Sequence, residues 1–216
     1  MINVLAVGND RCVSELEAKL SGTANLISCI NLDKIEDLTQ FDVIVDFDIA
    51  NNPENYLDYK ELNDSVILLN TVKVTLAELT YTFGSSSAEI YGFNGLPSFI
   101  NREIFEISSL SGEVSEGFNK LKWEYQLVDD RVGLVTPRIV LMIINEAFYT
   151  VQEGTATKED IDLGMKLGTN YPYGPFEWSA LIGIEEVYEG LEAIYEDTKE
   201  ERYKIAPLLK KEYLSS

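Results

Sequence analysis

The chain has 216 residues, 45% hydrophobic, 25% charged and 11% aromatic, a composition that excludes disorder, a fibre and a disulfide-stapled mini-protein. Seventeen basic residues against 37 acidic ones give −20, divided −14 over residues 1–130 and −6 thereafter, a field that repels nucleic acid and anionic membrane surfaces. With no histidine, the commonest general base, the commonest metal ligand and every histidine-dependent triad are excluded.

Ile2 to Gly8 is a continuous apolar run closed by glycine, the pattern of a strand buried on both faces. Val13, Leu16 and Leu20 then fall at helical spacing. Asn25–Asn31, Asp42–Asp48 and Ser65–Thr71 read as further strands, separated by helices over Pro53–Leu62 and Thr75–Phe83, the latter with Thr75 as N-cap. Strand and helix in alternation predict a parallel sheet covered on both sides. Ala88–Phe93 and Glu103–Ser109 read as two more strands, and Val114–Gln126 as an amphipathic helix.

From Pro137 the strand pattern ceases. Arg138–Gln152 is apolar on most of its circumference and calls for enclosure by other helices or a second subunit. Thr136 and Pro137 read as its N-cap and first helical residue. Thr157 opens the next helix with Thr157-Lys158-Glu159-Asp160, close to a capping box, and a further helix runs from Phe176 to about Lys199, its acidic face Glu185–Glu201 solvated. The boundaries expected are an α/β domain over 1–130 and a helical domain over 131–216. No stretch reaches membrane-spanning length. Two cysteines, Cys12 and Cys29, and an opening without a basic leader point to a reducing, cytoplasmic setting.

The most specific text lies in the helical part. Asn145-Glu146-Ala147, Glu153-Gly154-Thr155-Ala156-Thr157, Glu159-Asp160-Ile161-Asp162, Met165-Lys166-Leu167-Gly168, Tyr171 to Glu177 and Leu181-Ile182-Gly183 follow in one order at short spacings. Together they resemble the C-terminal domain of the 3-hydroxyacyl-CoA dehydrogenase family. Asp42 to Val45, Leu68 to Thr71 and Glu103 to Ile107 extend the resemblance over the first domain. The resemblance implies a shortened Rossmann-like sheet domain of NAD-binding type, followed by a helical domain of the 6-phosphogluconate-dehydrogenase C-terminal kind through which subunits pair as a homodimer. It also implies an NAD-dependent oxidation of a 3-hydroxyacyl-CoA to the ketone.

Residue by residue, the chain departs from that family's chemistry. The glycine-rich phosphate loop reads Gly8-Asn9-Asp10-Arg11-Cys12-Val13, so Gly8 alone remains as a cofactor-binding remnant. Asp10 sets a carboxylate where a pyrophosphate would lie, a like-charge contact of roughly 3 kcal/mol at about 5 Å and an effective dielectric of ~20. The second strand ends Cys29-Ile30-Asn31, with no acid to hold a ribose hydroxyl. The family's histidine stands twelve residues before a glutamate; twelve before Glu106 is Asn94, which hydrogen-bonds but carries no proton near neutral pH. By the resemblance Glu106 is an orienter without its base; read on its own it is an ordinary strand glutamate facing solvent or paired with a cation.

The serine that follows the family's Asn-Thr is Val72, with Lys73 next, and the asparagine before Arg138 is Pro137. Only Leu32–Phe41 bridges the second and third strands, too short for the helical hairpin that helps hold CoA in the family, so acyl-CoA is not an expected ligand.

Three readings stand: a catalytically degraded relative with a structural or regulatory role and no cofactor; an active NAD-dependent oxidoreductase in which Glu106, Lys73 or Tyr91 replaces the base; and a module binding another small ligand. Among the remaining residues, Asp46 and Asp48 read as solvated strand-end acids with a metal pair as the rival. Cys12 reads as helix packing, and Tyr171, Tyr173, Phe176 and Trp178 as a packed corner.

Overall fold

A computed structural model describes all residues 1–216. The chain divides into two compact units, Met1–Leu134 and Val135–Ser216.

In the first unit, seven strands form one sheet in the order β2-β1-β3-β4-β5-β6-β7: β1 (Ile2–Val7), β2 (Ala24–Cys29), β3 (Val43–Asp46), β4 (Val66–Asn70), β5 (Glu89–Phe93), β6 (Ile104–Ser108) and β7 (Glu124–Val128). Every pairing is parallel except β5 with β6, which run antiparallel through only two residue pairs, Gly92 with Ser108 and Phe93 with Ile107. The sheet is therefore Rossmann-like but mostly, not wholly, parallel.

The uninterrupted Val, Ile and Leu of β1, β3 and β4 follow from cover on both faces. On one face Val4, Val43, Leu68 and Phe93 meet Leu16 and Leu20 of α1 (Asp10–Leu20) and the buried Phe118. On the other, Leu5, Ile44 and Leu69 meet Tyr56 and Tyr59 of α2 (Asn55–Tyr59) and Leu76 and Leu79 of α3 (Leu76–Phe83). Thr75 caps α3 in a full capping box with Glu78. Asp130 adds a second clasp, accepting from the amides of Leu76 at 3.0 Å and Ala77 at 2.9 Å.

The segment expected as one helix over Val114–Gln126 is instead a 3₁₀ turn over Glu116–Leu121 followed by β7. Its apolar spacing is met by Phe118 and Leu121, both buried. Ser115 caps the turn through the Gly117 amide, and Lys122 takes a left-handed conformation that ends it. After Trp123, Glu124–Val128 pair with β6 as the edge strand.

The second unit is all helix: α4 (Thr136–Gln152), α5 (Lys158–Thr169), α6 (Pro175–Ile182), α7 (Ile184–Thr198) and α8 (Pro207–Tyr213). The single helix expected from Phe176 to Lys199 is broken at Gly183, whose φ of +103° a side chain rarely adopts. Val135, not Thr136, holds the N-cap position of α4, and Thr136 and Pro137 lie inside the first turn.

The densely patterned words of this unit interlock with one another. Asp162 caps α6 through the amides of Phe176 at 2.8 Å and Glu177 at 3.1 Å, and a side chain at Gly174 would collide with it. Lys166 pairs with Glu177, whose carboxyl is held below its ordinary range first by that bond and then by the Gly174 amide. Tyr171 and Tyr173 lie edge-on or tilted to the buried Trp178, with ring centroids 6.5 and 6.1 Å away.

Candidate functional site

In an open α/β sheet, ligands bind beyond the carboxyl ends of the strands where the strand order reverses, here between β1 and β3. β1 runs into Gly8, whose amide donates to the Cys29 carbonyl at 3.0 Å, and β3 runs into Phe47, whose amide donates to the Val7 carbonyl at 2.8 Å. A Cβ placed on Gly8, at φ +152°, would stand 2.9 Å from the Phe47 Cβ. The glycine is thus demanded by the close passage of the two strand ends. Gly8→Ala is expected to lower stability by about 1–3 kcal/mol through overpacking, with no nucleotide present; unchanged urea unfolding would remove this reading of Gly8.

The turn after Gly8 opens α1 with a feature the sequence reading passed over. Asn9 is the N-cap, and its Oδ1 accepts from the Cys12 amide at 3.1 Å. The signal was present, an asparagine before an acidic first turn. Asp10 is exposed in that turn, and Cys12 is buried against the sheet. Past β2, the Asn31 side chain caps the short 3₁₀ turn Leu32–Lys34, accepting from the Asp33 amide at 3.1 Å.

Between β5 and β6 the backbones of Asn94 and Glu106 meet. The Asn94 amide donates to the Glu106 carbonyl at 3.2 Å, one step beyond the β5–β6 ladder. Glu106 is half-buried; Asn94 is buried and turns its Oδ1 back to the Leu96 amide at 3.3 Å, closing a local turn.

Asn70 bridges two strand ends, donating to the Phe47 carbonyl at 3.1 Å and accepting from the Gly95 amide at 3.0 Å. Val72 is fully buried, and its carbonyl accepts from the Gly133 amide. Lys73, half-buried, lies in the connection to α3. Tyr91 does not join this group: its ring packs edge-on to Phe118 and its hydroxyl accepts from the Ser115 amide at 2.9 Å.

Asp46 corrects an expectation. It is not solvated at a strand end but fully buried beneath α2, where its carboxylate accepts from Asn55 Nδ2 at 3.0 Å, Tyr59 Oη at 2.8 Å and the Asp48 amide at 2.7 Å. Burial pushes its carboxyl up despite those three bonds. Asp48 turns to Asn51 and Asn52 instead, and no group of three or more metal-ligating side chains forms anywhere in the chain.

Residues 133–215 match the family model described as the C-terminal domain of 3-hydroxyacyl-CoA dehydrogenase. The chain is 30% identical over 190 residues to a 3-hydroxybutyryl-CoA dehydrogenase of Clostridioides difficile, covering 82% of this chain and 66% of the relative. The chain belongs to the 3-hydroxyacyl-CoA dehydrogenase family. Within that family it is also 42% identical over 87 residues to the 3-hydroxyadipyl-CoA dehydrogenase of Escherichia coli, covering 40% of this chain and 18% of the relative. The matched stretch thus spans less than two thirds of either relative's own length. The fold of this family member is that of FadB2 from Mycobacterium tuberculosis, with TM-score 0.74 at 18% identity over 98% of this chain and 93% of that one. The (S)-3-hydroxybutyryl-CoA dehydrogenase PaaH1 of Ralstonia eutropha gives 0.71 at 20% identity, over 100% and 94%.

Proposed function

We propose that this family member keeps the two-unit frame as a structural or regulatory homodimer and does not carry out hydride transfer on an acyl-CoA. The observation that carries the reading is Asn94 beside Glu106 in a chain without histidine. A base must exchange a proton with the substrate hydroxyl, and an amide whose oxygen already accepts from Leu96 cannot.

The cofactor side gives the same indication. A dinucleotide needs free amides and close backbone approach at the first strand–helix turn. Here Gly8 is required by Phe47, Asn9 occupies the Cys12 amide, and Asp10 adds negative charge. These residues do not fit a pyrophosphate. The connection from β2 to β3 carries Asp33, Glu36, Asp37 and Asp42 against Lys34 alone, which is adverse to a phosphorylated CoA.

Pairing of two copies is supported by apolar side chains the helical unit leaves uncovered. On α4, Val135 and Ile139 are about half exposed, and on α5, which buries no residue, Leu163 and Leu167 are exposed.

The test is a titration with NADH followed by fluorescence, an acetoacetyl-CoA reduction assay, and light scattering of the protein and of Ile139→Asp. The expected results are no saturable cofactor binding, no turnover, and a dimer that the substitution converts to monomer. Turnover would replace this reading with that of an active oxidoreductase using Glu106 or Lys73. A monomeric parent would remove the dimeric role.

A further inference from the structure

At the opposite end of β5 from Asn94 the structure leaves a cavity of about 490 Å³, within the range of small-molecule sites. Its origin is the brevity of the β5–β6 ladder. Beyond Gly92 and Ser108 the two chains separate, β6 turning into the loop Ser109–Ser115, and the gap stays open beside Glu89, Ile90 and Tyr91.

The lining has one chemical character. Serine, threonine and tyrosine hydroxyls, the carboxylates of Glu89 and Glu113, and the apolar Leu76, Ile90, Leu110 and Val114 face it, with no lysine or arginine. Phosphates and carboxylates therefore find no counter-charge there. The hydroxyls are largely spent on the protein itself: Tyr56 with Thr80, Ser109 with Ser111, Ser86 on the Lys60 carbonyl. What remains toward the space is acceptor capacity on the two carboxylates.

Glu89 is held in place. Ser115 Oγ donates to its Oε2 at 2.6 Å, and a side chain at Gly117 would collide with the same carboxylate. The Ser115 amide meanwhile fixes the hydroxyl of Tyr91, whose ring also faces the cavity.

A fixed carboxylate with a free oxygen, a second carboxylate at the rim, two tyrosines and an apolar floor suit an ammonium group on a compact hydrocarbon body. We propose that this cavity is a binding site for a small organic amine, separate from the strand ends that carry Asn94 and Glu106.

The experiment uses three probes of one shape, cyclohexylamine, cyclohexanol and cyclohexanecarboxylate, titrated into the full chain at 0.15 M salt and followed by amide NMR shifts. Cyclohexylamine is expected to move resonances of 85–91 and 109–115 saturably, with an affinity roughly tenfold lower in Glu89→Gln, while the other two leave them in place. Glu113→Gln, at an exposed position, gives a smaller weakening and serves if Glu89→Gln does not fold. Equal binding of amine and alcohol, shifts that map elsewhere, no saturation by the amine, or an affinity that neither substitution changes would each overturn the proposal.

Discussion

Asn145→Leu is expected to lower the stability of the helical unit by roughly 2–4 kcal/mol, about the loss of two buried hydrogen bonds with a donor left unpaired. Asn145 is 2% exposed in the middle of α4, where apolar neighbours would tolerate leucine by volume. Its Oδ1 accepts from the Ala206 amide at 2.9 Å and its Nδ2 donates to the Lys204 carbonyl at 2.8 Å, so one side chain pins the segment from which α8 starts. The Lys204 carbonyl keeps the Tyr149 hydroxyl at 3.3 Å as a second donor, while the Ala206 amide has no replacement within reach of leucine. The loss therefore concentrates on Ala206, and Tyr149→Phe, removing only the long contacts of its hydroxyl to the Lys204 and Ile205 carbonyls, both 3.3 Å, is expected to cost under about 1 kcal/mol. Urea unfolding followed by Trp178 emission in a Trp123→Phe background measures both. Equal effects of the two substitutions would show that the clasp does not secure α8.

That example indicates what was legible in the sequence. The words resembling the family's C-terminal domain mark capping and clasping residues, Asp162 on α6, Glu177 on Lys166 and Asn145 on the approach to α8, and such residues are tied to a fold rather than to a reaction. The architecture could therefore be read from them. The strands β1, β3 and β4 were readable for another reason: strands buried on both faces need continuous apolar runs.

What escaped was set by partners distant in sequence. β7 is mostly exposed at a sheet edge and has no apolar face to announce it, so only pairing with β6 makes it a strand. α8 was missed because its seven residues bury Leu209 alone, on a surface supplied by α4 and α7. At the candidate site, Asn94 and Glu106 were singled out by the family resemblance, and a backbone hydrogen bond joins them in the sheet. The use of Gly8 by Phe47 was not legible, since nothing in the loop text says that β3 passes beneath it.

The burial of Asp46 was hidden in the same way, and it carries the second large effect. Tyr59→Phe is expected to cost about 2–3 kcal/mol at pH 7 and only about 1 kcal/mol under acidic conditions. A carboxyl whose folded pKa lies above its ordinary value near 3.8 favours folding most when protonated, and that contribution fades as pH rises through the folded pKa. The native chain limits the fading with three donors, of which the Tyr59 hydroxyl is the one wholly enclosed by the core. Burial and the adjacent Asp46 charge hold the Tyr59 phenol itself well above its usual range, so it remains a donor throughout. Removing it raises the folded pKa of Asp46 further. Below both values the carboxyl is neutral and the loss is that of one ordinary hydrogen bond; above them a buried charge lacks a donor. The difference between variant and parent must then widen with pH, the reverse of what a simple packing defect would give. Urea unfolding from pH 3 to pH 8, read through Trp123 in a Trp178→Phe background, decides it, and a cost that stays constant over that range would mean that Asp46 does not change protonation in the folded protein.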